Sequence, residues 1–227
     1  MKKLFVLIMI VTLSGMVCMG QPIGIFTDQA SVGDDAGAGL ATFANNVYEI
    51  EGSGNDIWDV PDGFYWIFKE ITGDFTATCT VEWLTGADEG DEWKKAGFIA
   101  RNTVDDPTRV DGEYACAALI RGNLSNFFVR PTIDAGEEDT FHNPNENLSR
   151  LTRTIQLKRV GDTFSMLRGL VSGGFEELAS IEIDMKDTVL VGLCVTSHDT
   201  TIIEAASFSN VSIEQGPTAV CRFELYE

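Results

Sequence analysis

Histidine, positive charge and helical periodicity are what this chain has least of. It holds only two histidines, His142 and His198, and no closely apposed thiol pairs. That argues against zinc, whose sites draw mainly on His nitrogen and Cys sulfur. Lys and Arg together number 16 against 35 Asp and Glu, for a net charge of −19. A field of that sign repels nucleic acid and anionic lipid at long range, so no nucleic-acid partner is expected. Beyond the first twenty residues no apolar run is long enough for a membrane helix. No stretch of a dozen residues carries a capped helical period. Nucleotide loops, metal-ligand spacings and nucleophile triads are missing as well.

What is present describes an exported β protein. The 227 residues suit one domain, and 44% hydrophobic with 22% charged residues is a globular profile rather than a disordered one. Lys2 and Lys3 precede an apolar run from Leu4 to Leu13, and small residues follow at Gly15 and Gly20. This is the pattern of a secretory signal peptide over 1–20. Cys18 invites lipid anchoring, but Met16 and Val17 make a poor lipobox. The expected organisation is therefore a signal peptide 1–20, a β-sandwich 21–214, and a tail 215–227 that supplies an extra edge strand. The location follows as secreted, periplasmic or cell-surface.

Strand signals fill the body of the chain. Phe75 to Leu84 alternates strictly, with Phe75, Ala77, Cys79, Val81 and Trp83 on one face and Thr76, Thr78, Thr80 and Glu82 on the other. Further strands are predicted at Phe64–Ile71, Trp93–Arg101, Tyr114–Ile120, Asn126–Arg130, Arg153–Arg159, Thr163–Arg168, Phe175–Ile183, Thr188–Thr196 and Ala205–Ile213. Pro131 to Leu148 reads as a long polar loop, with His142 solvated inside it. Many short strands with Gly and Asp turns predict an all-β sandwich or jelly roll. Cys79, Cys116, Cys194 and Cys221 permit disulfides, yet Cys79 and Cys194 sit in buried-looking runs and read as small core hydrophobes. The acidic runs Asp34-Asp35, Asp88 to Glu92, Asp105-Asp106 and Glu137 to Asp139 could supply oxygen ligands to Ca2+, but none has EF-hand spacing, and solubility accounts for them more simply.

Several blocks occur in a particular order: Gly52-Ser53-Gly54-Asn55-Asp56-Ile57-Trp58, Trp93-Lys94-Lys95-Ala96-Gly97-Phe98-Ile99-Ala100-Arg101, Gly192-Leu193-Cys194-Val195-Thr196-Ser197-His198, and Phe208-Ser209-Asn210-Val211. In these the chain resembles a bacterial secreted family of unknown function, labelled "regulation of enolase protein 1-like", of the concanavalin A-like lectin/glucanase superfamily. The resemblance spans Gly33 to Ile213. It implies a concanavalin A-like jelly-roll β-sandwich of two antiparallel sheets, and it leaves activity open. There are departures. Tyr65 stands where the family has His. Thr154 to Arg159 lacks the family's Trp, and Gly173-Gly174 stands where the family has Asp-Gly.

Alternation puts Lys95, Gly97, Ile99 and Arg101 on one face of their strand and Ala96, Phe98 and Ala100 on the core side. A sugar lying across a concave sheet uses aromatic stacking and planar donors. Tyr65, Lys95, Arg101, Arg130 and His198 are the candidates for that face, with Asp56 and Trp58 closing one end. The competing account has Arg101 tied to Asp56 or another carboxylate, since a charge in mid-strand needs a partner. Trp66, with Phe64 and Phe68, reads as core, as does Trp83; Trp58 and Trp93 flank loops and read as surface. Glu182-Ile183-Asp184-Met185-Lys186-Asp187 imitates a retaining-glucanase signature but ends in Asp and falls at the end of an outer hairpin. Ser197, His198 and Asp199 are adjacent on one strand and so cannot converge as a triad. These observations favour a non-catalytic module binding carbohydrate or another cell-surface ligand. A glycoside hydrolase or lyase of the same superfamily, and a purely structural or adhesion module, are the alternatives.

Overall fold

The structure is a computed structural model that describes residues 22–33, 36–37, 39–58, 62–104, 113–130 and 139–216. The signal peptide, Cys18, Cys221, most of the 215–227 tail and the runs Asp34-Asp35, Asp105-Asp106 and Glu137-Glu138 lie outside the described residues. Among the described residues there is no α-helix, only the 3-10 turns Arg121–Asn123 and Leu148–Arg150. None of them forms a helix long and apolar enough to cross a membrane.

Fourteen strands are described: β1 Asp28–Val32, β2 Leu40–Ala44, β3 Val47–Gly54, β4 Phe64–Thr72, β5 Phe75–Trp83, β6 Lys95–Arg101, β7 Tyr114–Leu119, β8 Ser125–Arg130, β9 Asp139–His142, β10 Leu151–Val160, β11 Thr163–Leu170, β12 Phe175–Glu182, β13 Thr188–Thr196 and β14 Asp199–Gln215. They form two seven-stranded sheets, ordered β1-β4-β13-β6-β7-β8-β9 and β12-β11-β10-β5-β14-β3-β2. Every pairing is antiparallel. The jelly-roll β-sandwich of two antiparallel sheets expected from the sequence is the architecture observed.

The core between the sheets follows the period-two pattern. β5 sends Phe75, Ala77, Cys79, Val81 and Trp83 inward to meet Ala96, Phe98 and Ala100 of β6 and Leu193 and Val195 of β13. Fully burying each large apolar side chain contributes about 1.5–3 kcal/mol. The strands pack closely where side chains are missing. A Cβ on Gly97 would lie 2.1 Å from the carbonyl oxygen of Ala117 on the neighbouring strand.

A second cluster covers the other face of the first sheet, and this decides where a ligand can sit. Phe64, Trp66 and Phe68 of β4 lie there with Ile99, Cys116, Phe128, Cys194 and Ile57. The sequence reading placed the three aromatics in the core and Tyr65 on the outer face. They are buried, but the faces are the reverse. Tyr65 pairs with Val195, which points between the sheets, so the register turns Tyr65 inward. Its hydroxyl is bonded to Gln29. The Gly52–Trp58 block also departs from expectation, because only Gly52 to Gly54 belong to a strand. The chain then leaves the sheet at Gly54, with φ 137°, and residues 55–58 fold back over the outer face.

Candidate functional site

Lys95, at the start of β6, projects from the outer face, as alternation predicts. Burial of its ammonium demands partners. It donates to Asp56 Oδ1 and to the Trp93 carbonyl oxygen at 3.2 Å, and it lies 4.5 Å from the centre of the Phe128 ring. Asp56 Oδ1 also accepts from the amide of Ile57 at 2.7 Å, fixing the segment after β3. The other oxygen of Asp56 faces His198 Nε2 at 3.3 Å. His198 Nδ1 faces Asp91 Oδ1 at 3.0 Å. Asp91 further accepts from the amide of Trp93 at 2.8 Å, which holds that indole in place. His198 thus ties the 55–58 segment to the 84–94 loop from a backbone with φ 57°.

These residues surround a cavity of about 520 Å3, lined by Asp56, Trp58, Trp93, Lys95, Phe128, His142 and His198. Trp58 meets Phe128 edge to face, with ring centres 5.6 Å apart, and Trp93 meets His142 in the same manner at 5.2 Å. Of the residues singled out from sequence, Asp56, Trp58, Lys95 and His198 come together here.

Tyr65, Arg101 and Arg130 do not. Tyr65 points between the sheets. Arg101 and Arg130 share the outer face but are sealed beneath it, 1% and 0% exposed. Asp62 lies between them, accepting from Arg101 Nη1 and receiving a two-pronged contact from Arg130 at 3.0 and 2.9 Å. Arg130 also donates to the Trp58 carbonyl oxygen at 3.1 Å and stacks 4.6 Å from the centre of Tyr114. The expected carboxylate tie of Arg101 exists, but Asp62 makes it and Asp56 serves Lys95 and His198.

Sequence reasoning missed Phe128 and His142 as lining residues. Phe128 was reachable, because it alternates with Arg130 on β8. His142 was not: it stands on β9, an edge strand inside the segment read as loop, and pairs with Asn126. Ser197 makes no triad; its hydroxyl donates to the Asp199 carbonyl oxygen at 2.6 Å. Glu182 and Asp184 are exposed at the edge of the other sheet, away from the cavity.

Cys116 and Cys194 lie on the same outer face, on strands flanking β6, with sulfurs 4.0 Å apart. Cys79, Cys116 and Cys194 are buried and free. The hydrogen bond to Cys194, then burial, pushes the Cys116 thiol well above its ordinary value. Among the described residues, no group of three or more His, Cys, Asp or Glu is placed to hold a metal ion. Asp91, from one of the acidic runs, engages His198 and the Trp93 amide.

No family model matches the chain, and no curated protein matches it significantly. Its fold, however, is shared with solved structures. A protein of unknown function from Saccharomyces cerevisiae is similar at 13% identity and a TM-score of 0.58, over 80% of this chain and 97% of that one. A mutant of the GH43 protein BlXynB from Bacillus licheniformis is similar at 10% identity and a TM-score of 0.51, over 78% of this chain but only 38% of that one. Lectin I-B4 of Griffonia simplicifolia, in its metal-free form, aligns at 9% identity and a TM-score of 0.46 over 82% and 99% of the two chains. At such identities the likeness concerns the fold alone.

Proposed function

We propose that this protein is an exported, non-catalytic β-sandwich module that binds carbohydrate in the cavity framed by Trp58, Trp93 and Phe128. The observation that carries the reading is the composition of that cavity. Aromatic walls offer apolar faces to a sugar's C–H surface, while Asp56 and His142 offer polar groups to its hydroxyls. Pockets of about 300–1,000 Å3 with a few polar groups among aromatics are the usual form of small-ligand sites. Export rests on the leader pattern at 1–20. Membership of the "regulation of enolase protein 1-like" family rests on the order of the sequence blocks.

The test is a glycan array followed by calorimetry on wild type, Trp58→Ala and Trp93→Ala. Both indoles are only half-buried, so the variants fold. Losing either is expected to weaken binding by about 1–2 kcal/mol, roughly five- to thirtyfold in Kd. An array with no bound glycan, or variants that bind like wild type, would remove the reading.

A further inference from the structure

We infer that the cavity captures the end of an uncharged glycan, two or three sugar rings at most, and not an internal stretch of polymer. The inference rests on the carbohydrate reading above and sharpens it. The outer face of the first sheet is the obvious track for a long chain, but this protein has closed that track. Residues 55–58 cross it, the Gly63 amide donates to the Asp56 carbonyl oxygen at 2.6 Å, and Asp62 clasps Arg101 and Arg130 beneath. Asp62 and Arg130 are 0% exposed and Arg101 1%. Among the described residues, Asp62, Arg101 and Arg130 therefore present no surface to a sugar there. On another side, the Trp93–His142 edge contact leaves no gap for a ring to pass between them.

Size and charge narrow the ligand further. A pyranose unit with its hydroxyls displaces roughly five to six waters, about 150–180 Å3 at about 30 Å3 per water. A cavity of about 520 Å3 has room for about three of them. An acidic sugar needs a cation, and Lys95 is already held by Asp56 and the Trp93 carbonyl oxygen. His198 is likewise engaged by two carboxylates, Asp56 and Asp91. The −19 net charge adds long-range repulsion of anions.

The experiment titrates the full chain with linear gluco-, galacto-, manno-, xylo- and chito-oligosaccharides of one to six units. Their parent polymers, oligogalacturonates and sialyllactose are included. In whichever neutral series binds, affinity should rise up to the second or third unit and then change less than twofold to the sixth. The polymer should take up one protein per chain end, and the anionic sugars should bind at least tenfold more weakly. A further tenfold gain between three and six units, many proteins per polymer chain, or anionic sugars binding as tightly would overturn end capture while leaving carbohydrate binding intact. Binding by no series, or binding that Trp93→Ala leaves unchanged, would overturn the carbohydrate reading and this inference with it.

Discussion

Asp62 carries more of this structure than any residue picked out beforehand. One carboxylate contacts two guanidiniums, all three groups lying out of water. Removing the carboxylate of a buried ion pair leaves the charge of its partner, here Arg101, without that contact, which costs about 3–5 kcal/mol. Asp62→Ala should therefore lower the urea midpoint by that equivalent. Asp56→Ala should cost less, because the Asp56 side chain is 19% exposed and water replaces part of the lost contact. Equal losses in the two variants would contradict the assignment of Asp62 as the clasp. Alternation made Lys95 and Arg101 legible as neighbours on one face. It could not reveal that one lines an open cavity and the other lies beneath a covering segment. That distinction depends on where Asp56 and Asp62 land after the chain leaves β3, and no periodicity governs a segment without regular structure.

At the level of the element, the segment following β3 is the one that converts a plain sheet face into a pocket. Its geometry starts at Gly54, where φ is 137° and an added Cβ would lie 2.0 Å from the Gly63 carbonyl oxygen. That backbone region is open to glycine and closed to side-chain-bearing residues. Gly54→Ala should cost at least about 1–3 kcal/mol and unseat Asp56 and Trp58 together, so thermal midpoint and glycan affinity should fall in parallel. A variant that loses neither would show that the segment does not depend on this turn. Ten of the strands were visible in the sequence, because β-branched and aromatic residues alternate along them. The short edge strands β1, β2 and β9 were not, and of β3 only Gly52 to Gly54 fell within a block singled out from the sequence. Asp139–His142 offers four residues within a polar stretch, too few for a pattern to emerge. It is held by pairing with β8 rather than by its own composition.

For the molecule as a whole, burial of acidic protons sets a direction for pH. Burial pushes up the Cys79 thiol, and a hydrogen bond to Cys194 together with burial pushes up that of Cys116. Burial also raises the phenols of Tyr48 and Tyr65. The folded state therefore keeps protons that the unfolded chain gives up above about pH 8.5 for thiols and about 10 for phenols. Where the unfolded state binds fewer protons, stability falls as pH rises. The urea midpoint should hold below about pH 8 and decline from about pH 9 upward, and a midpoint unchanged at pH 10 would contradict it. Fold class was the most readable property of all, since turn spacing and strand patterning repeat along most of the chain. The cavity was the least readable, because it assembles from five separate stretches.

Lys95 and His142 belong to very different parts of the same sheet. Lys95 stands on β6, bonded to β13 on one side and β7 on the other, whereas β9 is the last strand and has β8 alone as neighbour. Terminal strands open locally at far lower free energy than central ones. Deuterium should therefore enter the amides around His142 well before those around Lys95. An occupant touching both would slow exchange at the first and leave the second unchanged. Uniform exchange across the sheet would show that the pocket does not have a fraying side and a fixed side.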